Sequence, residues 1–173
     1  MFNQRYWPDN TIYFLTGSTF LHFPYFRSTE QKQLFLNQIK KAQERFGISS
    51  LTFSVAINHY HLKFCIKSGL DLAKIKQLLH GGTSFEYKKR YSMKYKEMWQ
   101  SFRVYQIRTE EVDFKVTGYI IGNLLKHKEV GTFSELMGSP FSSYREVVSQ
   151  IGEESARKMV YSTIDLDIED GLT

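Results

Sequence analysis

His59 and His61 flank a single residue in the stretch AINHYHLKFCI, and a strand sends residues i and i+2 to the same face. Two imidazoles so placed form half of a metal site. Downstream, VTGYIIGNLLKH carries Tyr119 and Asn123 four apart, which a helix brings onto one stripe. Two imidazoles and an amide oxygen leave open positions on a divalent cation for phosphate oxygens and water. Such a cation acts as a Lewis acid on a phosphate. Tyr119 adds a phenol nucleophile, and an ordinary phenol pKa of ~10 calls for a nearby cation or lysine to favour the ionised form. Lys115 and Lys126 are the candidates. These parts suit cutting single-stranded DNA through a covalent phosphotyrosine. The expected cofactor is a divalent metal, Mg²⁺ or Mn²⁺, with Mn²⁺ the tighter because imidazole suits it better.

The elements that must position these groups are legible in outline. NTIYFLTGSTF reads as a first strand, with Gly17 as a bulge. Ser28 or Thr29 then caps a helix whose apolar residues run from Leu34 to Phe46, and Gly47 ends it. ISSLTFSVAINHYHLKFCIKSG is too long for one strand and reads as a hairpin bending at Ala56–Asn58. On its second strand His59, His61, Lys63 and Cys65 share one face, while Tyr60, Leu62, Phe64 and Ile66 share the face that packs on helices. A second helix runs from Leu70 to about Tyr91, with a break expected at Gly81-Gly82. SFRVYQIR is a fourth strand, and Thr109 caps a third helix. On that helix Val116, Ile120, Ile121, Leu124 and Leu125 spread over one side. Tyr119, Lys115, Gly122, Asn123 and Lys126 gather on the other, outside the core stripe. The order β-α-β-β-α-β-α predicts an α+β fold: a ferredoxin-like antiparallel sheet with helices on one face, the other free, plus an added C-terminal helix.

Bulk properties narrow the class. The chain has 173 residues, enough for one domain with an appended C-terminal piece, and a net charge of +5 that favours a polyanionic partner. The tail IDLDIEDGLT is acidic, so the remainder is more basic than the total implies, and the tail could fold back over a basic site. The cluster KKRYSMKYK interleaves Lys88, Lys89 and Arg90 with tyrosines, a pattern that suits nucleic acid. Cys65 is the only cysteine, which excludes an internal disulfide and fits a reducing cytoplasm. No apolar run approaches the ~18 residues needed to span a bilayer.

NHYHLKF resembles the signature of single-tyrosine HUH transposases. The likeness continues through MWQSFRVYQIRTEEV, GYIIGNLLKHKEVG and SPFSSYREV, which is similar to the run of the REP-associated tyrosine transposases over roughly residues 10 to 146. The resemblance implies a transposase domain over 1–146 and a C-terminal helical, acidic tail over 147–173. It implies His59 and His61 as metal ligands, Asn123 as the third, and Tyr119 as the nucleophile. Lys88, Lys89, Arg90, Lys115 and Lys126 are the expected DNA contacts. The activity implied is cutting and rejoining single-stranded DNA beside imperfect hairpins, keeping a 5′-phosphotyrosine and releasing a 3′-OH. Relatives that act as dimers exchange this helix, so a homodimer is also expected. The competing readings are a replication or mobilisation nickase of the same chemistry, and a domesticated hairpin-binding protein that no longer cuts. Ile57 stands where the family has proline before Asn58, Leu124 where it has proline after Asn123, and Lys128 where it has glycine.

Overall fold

The computed structural model describes residues 7–166. Its frame is a four-stranded antiparallel sheet in the order β2-β3-β1-β4, formed by β1 (Thr11–Ser18), β2 (Ser49–Val55), β3 (His59–Ile66) and β4 (Arg103–Ile107). One face carries α1 (Thr29–Phe46) and the run α2 (Leu72–Lys76) to α3 (Thr83–Arg90). Ser28 and Gln31 close the expected capping box at the start of α1, and Gly47 ends it in left-handed backbone. Tyr60, Leu62, Phe64 and Ile66 fill this side of the core with Phe35, Ile39 and Ile75. The alternation of β3 therefore sorts its side chains as the sequence indicates.

Three local expectations are corrected. Gly17 pairs regularly with Tyr60 and makes no bulge; its missing side chain makes room for the Tyr60 ring, which an added Cβ would meet at 2.6 Å. Gly81-Gly82 does not break the second helix either. Gln77–Gly82 widen into a π-helical turn and the chain continues into α3, while Gly82 lets the Gln38 side chain approach. Nor is the histidine face of the sheet free, because α4 (Glu110–Lys126) lies across it: buried Lys63 on β3 donates to Asp113 (2.7 Å) and Thr117.

Behind α4 come α5 (Phe133–Gly138), α6 (Tyr144–Ile151) and α7 (Glu153–Tyr161). α7 seats on α4 at Gly118 and Gly122, where added Cβ atoms would fall 2.5 Å from the Met159 carbonyl and 2.7 Å from Val160. α4 is thus enclosed on both sides, which explains why its residues from Val116 to Leu124 are all buried. Gly118→Ala should destabilise the protein by about 1–3 kcal/mol, since backbone cannot yield as a side chain does. An unobstructed helix would instead gain roughly 1 kcal/mol from the same change; urea unfolding reads the sign. Among the described residues no helix is long and apolar enough to cross a membrane.

Candidate active site

Position on β3 and position on α4 meet at one end of the sheet. His59 and His61 project from β3 toward α4, and one helical turn separates Tyr119 from Asn123 above them. The His61 and Tyr119 rings lie 4.9 Å apart between centroids, edge to face, and His59 and His61 lie 5.1 Å apart. Asn123 Oδ1 is 3.1 Å from His59 Nε2. All four residues belong to one chain, so exchange of the helix with a second copy is not needed to assemble them. His59, His61 and Tyr119 line a cavity of about 380 Å³ with Thr16, Ser18, His22, Asn58, Gln100, Ser101, Arg103 and His127, and Asn123 lies behind His59. A larger cleft of about 940 Å³, around Lys63, Asp113 and Phe114 toward the other end of the strands, contains none of them.

The supports of this arrangement are traceable. Residues 141–143 run along the edge of β2, with Val55 N donating to Phe141 O and Ser143 N to Phe53 O, both at 2.9 Å. Ser142 Oγ donates to Ile121 O on α4, so the Ser-Ser-Tyr segment ties the helix to the hairpin. The hairpin turn is pinned from the far end of α4: Ile57 N donates to Glu129 Oε1 at 2.8 Å, and Glu129 also pairs with buried Lys32. A proline at 57 would lack that N–H. Leu124 continues α4 where a proline would disrupt it, carrying the helix on to His127 as its cap. Lys128, where the family has glycine, takes the left-handed φ of 57° that glycine favours.

Asn58 sets the chemistry of His59. Its Nδ2 donates to His22 O (3.1 Å), which orients the amide so that Oδ1 faces His59 Nδ1 at 2.7 Å. An amide oxygen only accepts, so Nδ1 carries the proton and Nε2 keeps its lone pair. That lone pair faces Asn123 Oδ1, another acceptor. Beneath them His61 is 2 % exposed, and both its ring nitrogens are buried with no hydrogen-bond partner, as is Asn123 Nδ2. Facing acceptors and an unsatisfied buried imidazole are costly on their own. A cation held by His59, His61 and Asn123 would relieve the facing acceptors and engage one of the two His61 nitrogens, and the donor set suits a divalent ion. Among the described residues no group of three His, Cys, Asp or Glu could hold a metal ion.

Burial, then the charge of His127, lowers the His59 pKa to about 4, and burial places His61 well below its ordinary value. Both are neutral near pH 7, as ligands must be. His80, stacked on Trp99 and bonded to the Tyr60 hydroxyl at 2.8 Å, is lowered by burial to about 3. Folded values below the unfolded ~6.5 mean that stability is complete above that pH and is lost as pH falls toward 4 and 3. In EDTA the thermal midpoint should be level from pH 8 to 7 and fall steadily from 6.5 to 4. A flat profile to pH 4 would contradict this account.

The helical wheel misplaces Tyr119. Its ring is only 7 % exposed and packs with Phe14, Ile107, Val116 and Ile120, because the covered sheet face supplies a second core. Lys126 stands over the ring at 4.9 Å and donates to Leu166 O (2.8 Å), bringing the end of the described chain to the site. Asp167, Glu169 and Asp170 of the acidic tail lie outside the described residues. Lys115 turns away and pairs with Glu111 at 2.6 Å. Lys88, Lys89 and Arg90 are exposed at the end of α3, apart from the cavity, with Lys89 and Arg90 near Glu86. Sequence reasoning missed Asn58 as the residue that orients His59. It also missed His127, whose ring lies 4.6 Å from that of His59; its spacing of four from Asn123 and eight from Tyr119 was the available signal.

The family model for IS200-like transposases matches residues 23–121. Among solved structures the fold is similar to a REP-associated tyrosine transposase bound to a REP hairpin, at 22% identity and a TM-score of 0.65, covering 87% of this chain and 86% of that one. It is also similar to a provisionally assigned transposase from Deinococcus radiodurans R1, at 14% identity and a TM-score of 0.50, covering 69% of this chain and 95% of that one. No curated protein matches the sequence.

Proposed function

The chain belongs to the IS200-like transposase family, and from that premise we propose that it cuts and rejoins single-stranded DNA at hairpin-containing ends through Tyr119. The observation that carries this reading is the Tyr119 ring set 4.9 Å from a buried imidazole that has no hydrogen-bond partner. His59, His61 and Asn123 would hold a divalent cation, Mn²⁺ or Mg²⁺, which when bound polarises the scissile phosphate. Tyr119 Oη attacks phosphorus, the bond to the 3′ oxygen breaks, and that oxygen leaves and takes up a proton. The phenolic proton passes to solvent. The protein keeps the 5′-phosphate on Tyr119, and attack by a 3′-OH reverses the step and rejoins a strand. The ammonium of Lys126, 4.9 Å over the ring, places positive charge beside the phosphate that Tyr119 would attack. Asn58 holds the His59 tautomer, and Gly118 and Gly122 let α7 fix the helix that aims Tyr119.

Hairpin DNA is the proposed partner, which accords with the hairpin held by the structurally similar REP-associated transposase. Lys88, Lys89 and Arg90 are proposed to grip its backbone away from the cut. Labelled single-stranded hairpin DNA incubated with Mn²⁺, Mg²⁺ or EDTA tests the function. A protein–DNA adduct stable to denaturation is expected with either metal, more with Mn²⁺, and none in EDTA. Binding without an adduct in any metal would favour the non-cutting reading. The acidic tail is further proposed to screen the basic site, since Leu166, its third residue, is held at its carbonyl by Lys126. A chain ending at Leu166, which keeps Thr163 packed on α4, should cut several-fold faster at low salt and equally fast at high salt. Equal rates at every salt concentration would discard the tail's role.

A further inference from the structure

Two adjacent non-glycine residues in the loop after β1 occupy left-handed backbone: Leu21 at φ 51°, ψ 30° and His22 at φ 52°. For residues with a Cβ this conformation is uncommon and strained. Burial offers no compensation, since the Leu21 side chain is 62 % exposed and His22 is exposed too. The loop is nonetheless held firmly. Leu21 N donates to Gln100 Oε1 at 2.8 Å, His22 N to Thr19 O at 3.0 Å, and Phe23 N to Phe20 O at 3.0 Å. Thr19 Oγ1 donates to Phe23 O at 2.7 Å, and Asn58 Nδ2 to His22 O. Strain that the surroundings enforce, around an apolar side chain left in water, points to a role outside folding.

Position indicates what that role is. Gln100, which accepts from Leu21 N, and Asn58, which donates to the carbonyl of the next residue His22, line the cavity of His59, His61 and Tyr119, as does His22 itself. Leu21 is not itself in the cavity lining but adjoins it, next in sequence to His22 and bonded through its backbone to Gln100. Behind it Phe20 packs edge-on against Tyr95 at 5.3 Å, giving the loop a rigid backing.

We propose that Leu21 is a wedge that packs against one base of the single strand beside the scissile phosphate, parting it from its neighbour so that the backbone can bend toward Tyr119. An apolar side chain suits this task because every base has an apolar face, whatever its hydrogen-bonding edge. The wedge rests on the single-strand cutting argued above. It adds a residue that contacts the substrate rather than the reacting atoms.

The test uses Leu21→Gly and Leu21→Asn, both residues at ease in left-handed backbone. The probe is a single-stranded oligonucleotide with an imperfect hairpin from DNA beside the coding sequence, with 2-aminopurine walked through its unpaired flank. Both variants should melt no lower than wild type, Leu21→Gly higher. Adduct formation at saturating DNA should fall at least tenfold while affinity changes by less than threefold. In a Tyr119→Phe background that leaves the strand uncut, one probe position should brighten severalfold with Leu21 and not with either variant. Variants that keep the wild-type rate and fluorescence profile would overturn the wedge. A wild type that forms no adduct yet shows Leu21-dependent brightening would sink the cutting function and leave the wedge standing.

Discussion

Tyr119→Phe is expected to remove adduct formation and strand cutting altogether, a fall of at least ~10⁴-fold, while hairpin binding stays within threefold. The substitution deletes one oxygen from a ring held by Phe14, Val116 and Ile120 and set against His61, so the packing that aims it survives. Cutting depends on the nucleophile as a unit, and no second hydroxyl on α4 can replace it at the same height over His61. Thr117, the other hydroxyl on that stretch, is engaged by Lys63 and donates to Asp113 O at 2.7 Å. Thermal unfolding controls for folding, and a phenyl ring kept in the same core contacts predicts a midpoint close to wild type. Residual cutting above roughly one part in 10⁴ would mean that another group attacks.

His61→Leu separates the ligand role from packing, with effects of opposite sign. This imidazole is buried with neither nitrogen hydrogen-bonded, stacked on Phe14 at 5.8 Å. Replacing it with an apolar side chain of similar volume should leave stability in EDTA unchanged or raise it by about 1 kcal/mol. The same change should weaken Mn²⁺ binding at least ~100-fold and abolish metal-dependent cutting. Calorimetric titration of Mn²⁺ reads the first effect, and the midpoint shift on adding metal reads it again. A variant that binds Mn²⁺ as wild type does would remove His61 from the ligand set. Loss of stability in EDTA would instead make His61 an ordinary core residue.

How much of this was legible depended on how local each feature is. Alternation along β3 put His59 and His61 on one face, since strand geometry needs no knowledge of what lies above. Helical spacing put Tyr119 and Asn123 on one stripe for the same reason. What covers that stripe is not local. The wheel placed Tyr119 outside the core because it weighed one apolar side of α4, whereas α4 is enclosed between the sheet and α7. Gly118 and Gly122 carried that information, but a glycine announces close approach without naming the partner. Asn58 looked like a turn residue and is one; only its contact with His59 Nδ1 reveals that it also sets a tautomer. Leu21 had no signature at all, because strain belongs to backbone angles rather than residue type.

The central claim is that a phenol on α4 attacks a phosphate held over the β3 imidazoles, and peptide mapping of the trapped adduct tests it most directly. After nuclease and protease digestion, mass spectrometry should find a nucleotide joined through its 5′-phosphate to Tyr119 and to no other residue. A nucleotide on a different side chain, or a linkage through a 3′-phosphate, would contradict it.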